Sequence, residues 1–156
     1  MNDTTGGNRS LESFRKGPCE PAYTTACVAN VMTTKVMTVR PHDSLADAFN
    51  LISNHHIHHL LVVDDENQLD GVLSDRDILW ALSCTTNWHR KQLIEIMTRN
   101  PFTVSSETPV IDAVTKMVAK RINCLPVVAD NGSVCGIVTS TDLLMSYKML
   151  LESLEK

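Results

Sequence analysis

Residues from about 31 to 80 recur as about 96 to 145, in one register and without a gap. Met32-Thr33 meets Met97-Thr98, Thr38-Val39 meets Thr103-Val104, and Asp47-Ala48 meets Asp112-Ala113. Ile57 and Leu60 meet Ile122 and Leu125, Val62-Val63 meets Val127-Val128, and Gly71 and Asp77 meet Gly136 and Asp142. Two copies are too few for a solenoid, whose end repeats must be covered by neighbours. A pair packed face to face about a pseudo-twofold axis covers itself, and duplication favours that arrangement.

Each copy reads as β-α-β-β-α. A helical turn ends at Val31-Met32 (Ile96-Met97), and a short strand follows at Val36–Val39 (Phe102–Val104). Apolar residues at Leu45, Ala48, Phe49 and Ile52, and at Val110, Ala113, Val114, Met117 and Val118, form the stripe of a helix buried on one face. Asp43 or Ser44 caps the first of these helices; Thr108, with Pro109 at the first helical position, caps the second. Strands Leu60–Val63 and Leu69–Leu73 flank a polar turn, as do Leu125–Ala129 and Val134–Val138 around Asp130-Asn131-Gly132. The last helix of each copy starts near Ser74 or Thr139.

The resulting division is an N-terminal arm over 1–26, read as mobile, a first unit over 27–82, a polar link over 83–92, and a second unit over 93–156. Beyond the repeat, Leu143, Leu144, Tyr147, Leu150, Leu151 and Leu154 extend the last helix with an apolar stripe. It serves either to cover the helix's own core or to meet a second copy.

The net charge of −4 argues against a general nucleic-acid binder, which needs a basic surface. No run approaches the roughly 18–20 apolar residues of a membrane helix, and the opening MNDTTGGNRSLESFRKG has no apolar core for a secretory signal. The expected location is cytoplasmic. There Cys19, Cys27, Cys84, Cys124 and Cys135 are expected as reduced thiols, Cys124 and Cys135 as small core residues.

The chemistry concentrates in Gly71-Val-Leu-Ser-Asp-Arg-Asp77 and Gly136-Ile-Val-Thr-Ser-Thr-Asp142, each ending a strand and opening a helix. Ser74 and Thr139 stand at the N-cap, three residues before an acid. That spacing is a capping box that needs no ligand. The same geometry also makes a nucleotide corner. The helix start attracts phosphate, the hydroxyl adds a donor, and the carboxylate can accept both hydroxyls of a ribose.

Together with the Met-Thr openings, the Thr-Val strands and Leu125-Pro-Val-Val128, these marks resemble a pair of cystathionine-β-synthase (CBS) domains, a Bateman module, over roughly 28–148. The resemblance implies an α/β (α+β) fold of two β-α-β-β-α units stacked through their sheets, with two clefts for adenosine-containing ligands such as AMP, ADP, ATP or S-adenosylmethionine, and pairing into a homodimer. It implies that Asp77 and Asp142 hold ribose hydroxyls, and that Ser74 and Thr139 contact phosphate or ribose. Thr38-Val39 with Ile57, His58 and His59 would line one adenine slot. Thr103-Val104 with Ile122, Asn123, Cys124 and Pro126 would line the other, and Arg76 would meet phosphate in the first cleft. Leu61 against Pro126, Ser74 against Thr139 and Arg76 against Thr141 make the clefts unequal. The second is expected to fit adenosine better, the first to favour phosphate charge.

Asn-His55-His56-Ile-His58-His59 invites a metal, yet side chains divided between a helix end and a strand cannot all converge, so none is expected. His58 or His59 touching a ligand would instead make that cleft pH-sensitive. Trp80 is expected under its helix and Trp88 in the link, with no base-stacking platform. No nucleophile–base pair stands at readable spacing, so no enzyme is expected. What remains is a regulatory adenine-nucleotide or S-adenosylmethionine sensor, without a cofactor, that acts on an unknown effector protein. The alternative is a ligand-free dimerisation scaffold.

Overall fold

The structure is a computed structural model and describes residues 26–155. The expected arm over 1–26, with Cys19, therefore falls almost wholly outside the described residues.

The first copy contributes β1 (Thr38–Val39), α1 (Leu45–His55), β2 (His59–Val63), β3 (Leu69–Ser74) and α2 (Asp75–Cys84). Next come β4 (Thr98–Arg99), α3 (Val110–Lys120), β5 (Cys124–Val128), β6 (Val134–Thr139) and α4 (Ser140–Leu154). The β2–β3 and β5–β6 hairpins share one register, down to the same irregularity before Val63 and Val128. Their turns follow from local chemistry. Asp64 Oδ1 accepts from the N–H groups of Glu66 and Gln68 at 3.0 and 2.8 Å, and Gly132 takes a φ of 84°.

Ser44, not Asp43, caps α1 by accepting from the Asp47 N–H at 3.1 Å. In the second copy Pro109 itself takes the cap position. The Thr108 hydroxyl instead accepts from the Ser105 N–H at 3.1 Å, as Asp43 does from Arg40. The opening strands are shorter than their β-prone residues suggest: two residues in the first copy, and a single parallel bridge, Val104 to Val127, in the second.

The copies exchange their leading segments. The turn at Val28–Asn30 precedes the first copy, yet Val28 is wholly buried among Val104, Ala113, Met117, Leu125, Val127 and Val138 of the second. Reciprocally, Leu93 sits among Val39, Leu45, Ala48, Leu60, Val62, Leu73 and Ile78 of the first. Backbone bonds repeat the exchange: the Val28 N–H donates to the Thr108 carbonyl at 2.8 Å and the Leu93 N–H to that of Asp43 at 3.1 Å. β4 extends the first sheet to the order β1-β2-β3-β4, while Thr33 bridges Ile137 in the second. Gly71 and Gly136 permit this approach. A Cβ on Gly71 would lie 2.8 Å from the Thr98 carbonyl oxygen, and one on Gly136 would lie 3.0 Å from that of Thr33.

The sheets meet through Leu61, Cys124 and Ile137, with Val36, Leu69, Val72 and Val134 packed against them. At the hairpin tips the Asn67 side-chain amide donates to the Val134 carbonyl at 3.1 Å. Cys124 is a core residue as expected, and Cys135 packs at the edge of the second core.

Trp80 does not lie under its helix, and Trp88, in the link as expected, is the tryptophan that packs inward. Trp80 is 71% exposed, whereas Trp88 packs against the first core, carried there by the turn Trp88–Arg90 within the link. On α4, Leu143 packs on the second core, but Leu144, Tyr147, Leu151 and Leu154 stay exposed.

Candidate functional site

Antiparallel pairing puts the start of β2 beside the end of β3, with His59 opposite Ser74; in the second copy Cys124 lies opposite Thr139. The helix that follows is tied to the same corner. The Asp75 N–H donates to the His58 carbonyl and the Ser140 N–H to that of Asn123, each at 2.9 Å. The residues expected to act together are thus gathered by sheet register rather than by sequence proximity.

Both capping boxes form. Asp77 Oδ2 accepts from the Ser74 hydroxyl at 2.6 Å and its N–H at 2.8 Å; Asp142 Oδ2 accepts from both groups of Thr139 at 2.7 Å. Each box engages only one carboxylate oxygen and holds the other in a fixed direction. Asp142 Oδ1 accepts from the Thr33 hydroxyl at 3.2 Å. Among the described residues Asp77 Oδ1 has no partner. The capping reading and the ligand reading are therefore compatible, because the cap orients an oxygen it does not consume.

Where the sequence suggests two clefts, the corners open into one of about 850 Å³, lined by both copies. Ile57, His58, His59, Ser74, Arg76 and Asp77 line one half; Ile122, Asn123, Cys124, Thr139 and Asp142 line the other. Five expected residues are absent from its walls. Val39 and Val104 are buried in the two cores. Thr38 is exposed, the Thr103 carbonyl accepts from Lys116 Nζ at 3.0 Å, and Pro126 is buried within β5. The cleft takes its apolar walls from two residues earlier, Val36-Met37 and Pro101-Phe102.

Electrostatics separate the halves. Asp75 Oδ1 accepts from the Arg76 N–H, and Oδ2 pairs with His58 Nδ1, both at 2.8 Å. That bond to His58 holds the Asp75 carboxyl below its usual range. Asp75 thereby sets a carboxylate beside Arg76, the residue expected to meet phosphate in the first half. Burial pushes the His59 imidazole below its ordinary value and the Cys124 thiol up to about 11, so that thiol is protonated near neutrality. Lys35 and Arg121 also line the cleft and were missed; the left-handed backbone of Arg121 (φ 55°) matches that of His56 (φ 52°). Both positions are visible in the aligned copies, where Lys35 faces Asn100 and Arg121 faces His56. Among the described residues no three His, Cys, Asp or Glu side chains converge as a metal set, and no helix is long and apolar enough to cross a membrane.

A family model, the CBS domain, matches residues 28–84 and 93–148. The chain is 34% identical over 116 residues to an L-aspartate semialdehyde sulfurtransferase of Methanocaldococcus jannaschii, covering 74% of this chain but 22% of that protein. It is 30% identical to a CBS domain-containing protein of Dictyostelium discoideum, covering 80% of this chain and 93% of the other. A CBS domain pair solved with 5′-methylthioadenosine and S-adenosyl-L-methionine superposes with a TM-score of 0.73 at 32% identity, over 80% of this chain and 97% of that one. The AMP complex of CBSX2 superposes with a TM-score of 0.72 at 27% identity, over 80% and 97%.

Proposed function

The chain belongs to the CBS-domain family as a tandem pair, and from that premise we propose that it is a regulatory sensor of adenosine-containing ligands with no catalysis of its own. The observation that carries this reading is the pair of box-oriented carboxylates, Asp77 and Asp142, facing one cleft. In it, Asp77 Oδ1 accepts ribose hydroxyls in the first half. Asp142 does so in the second, where Thr33 yields its bond. Ile57 with His59, and Ile122 with Cys124, flank the bases. The solved relatives that hold AMP, 5′-methylthioadenosine and S-adenosyl-L-methionine support that ligand class.

Ligand bridging both copies would bias how they sit together, and a change of that kind is what an effector protein reads. The same reading includes a homodimer. Leu79 and Trp80 on α2 recur as Leu144 and Met145 on α4, all exposed, so the pseudo-twofold presents one apolar patch twice. Trp80→Glu with Leu144→Glu should convert a sedimenting dimer to monomer.

Calorimetric titration with AMP, ADP, ATP and S-adenosylmethionine tests the sensor. Asp77→Ala and Asp142→Ala should each abolish part of the heat while the chain still melts cooperatively. A ligand-free scaffold is the second reading, favoured by the boxes being satisfied without ligand. No heat and no thermal shift with any of the four would establish it over the first.

A further inference from the structure

At the first corner the protein itself holds every N–H of the opening helical turn. The Asp75 N–H goes to the His58 carbonyl, that of Arg76 to Asp75 Oδ1, and that of Asp77 to the Ser74 hydroxyl. At the second corner the Ser140 N–H goes to the Asn123 carbonyl and that of Asp142 to the Thr139 hydroxyl. There the Thr141 N–H has no partner among the described residues. Asp75 thus places an internal carboxylate oxygen where the second corner leaves a donor open, and Ser140, its counterpart, carries no charge. The carboxylate is anchored twice, on the Arg76 N–H and on His58, whose counterpart is the neutral Asn123.

The remaining charges point the same way. Arg76 and Arg99 line the first half against Asp75 and Asp77, and Arg99 also donates to the Ile94 carbonyl at 3.2 Å. In the second half Asp142 lines the cleft with Ser140 and Thr141 beside it, and no second carboxylate stands there. The segment that carries Lys35 crosses over, bringing Thr33 onto Asp142.

We propose that Asp75 is a specificity residue: it makes the first half of the cleft a site for a phosphate-free adenosine derivative, neutral or cationic on its 5′ side, and leaves phosphorylated adenosine ligands to the second half. This rests on the reading of the cleft as an adenosine-ligand site and assigns a ligand class to each half. A phosphate entering the first half meets a fixed carboxylate and no free helix-start donor. A sulfonium or an uncharged thioether meets no such repulsion.

The test titrates AMP and 5′-methylthioadenosine into the full chain, the Asp75→Ser variant and the Ser140→Asp variant. The unaltered chain should take one AMP tightly and a second at least roughly tenfold more weakly, while 5′-methylthioadenosine still binds the AMP-loaded chain. Asp75→Ser should tighten the second AMP by roughly tenfold, and Ser140→Asp should weaken the first by a similar factor and spare 5′-methylthioadenosine. Two equal AMP sites in the unaltered chain would overturn the proposal. So would an Asp75→Ser chain that melts cooperatively yet keeps the original AMP stoichiometry. Binding of neither probe would instead remove the sensor reading beneath it.

Discussion

The two corners of the cleft share a backbone and differ in charge. Ser74 and Thr139 hold Asp77 and Asp142 in the same way, within 0.1 Å at each bond to the capped carboxylate. Between those fixed ends, Asp75-Arg76 stands against Ser140-Thr141. The box needs only its first and last residues, so the two between are free to diverge without loss of the fold. On the sensor reading proposed above, duplication copied a scaffold for ligand contact and left its selectivity adjustable in each copy.

The crossing of the leading segments offers the largest effect through which to break this comparison. Leu93→Ala should destabilise the chain by about 2–5 kcal/mol, and Val28→Ala by about 1.5–3 kcal/mol. Hydrogen exchange locates the damage. Leu93→Ala should deprotect α1 and β2 of the first copy, and Val28→Ala should deprotect α3 and β5 of the second. The opposite assignment would mean that each segment packs on its own copy.

Next in size are the glycines under the crossing strands. A Cβ on Gly71 would lie 2.9 Å from Met97 Sδ and 2.8 Å from the Thr98 carbonyl oxygen; on Gly136 it meets Met32 Sδ at 2.9 Å. Either Gly→Ala change should lower stability in denaturant by about 1–3 kcal/mol, the overpacking range. Gly71→Ala should be the worse, since its closest neighbour is backbone.

The boxes themselves come third. Ser74→Ala and Thr139→Ala should each lower stability by about 1 kcal/mol. Asp142→Ala should exceed Asp77→Ala by about 0.5 kcal/mol, because it also removes the hydrogen bond from the exposed Thr33 hydroxyl. Equal losses would show that the Thr33 bond contributes nothing.

The smallest effect is in pH. His59 is held below 6.5 by burial, so between its lowered value and 6.5 the unfolded chain binds more protons. Stability should therefore be complete above pH 6.5 and decline as pH falls through that value. His59→Gln should flatten this part of the melting profile. An unchanged slope would assign the acid sensitivity to other groups.

Much of this was legible in the sequence, for identifiable reasons. Hairpins, caps and the strand-to-helix corners depend on residues a few positions apart, such as Ser74 with Asp77, and duplication displayed each signal twice. The crossing was not legible. Val28 and Leu93 are repeat equivalents, so their patterns read alike whether each packs on its own copy or on the other. The two-residue β1 left no alternation to show that Val39 turns into the core while Val36 and Met37 face the cleft. Trp88 lies in a segment without periodicity, so nothing marked its burial. The Asp75 difference was visible, but its meaning lay in a side-chain bond to the neighbouring N–H, which no spacing rule announces.

The reciprocal seam between the copies has an ancestral implication. Two separate chains, each one copy long, could make the same exchange by lending each other their leading arms. Joining them end to end would then only add a connection outside the seam. On this view the tandem chain is a fused arm-swapped pair, and neither half cut at the link should be stable as a monomer. Each would leave with its partner's keystone and without its own.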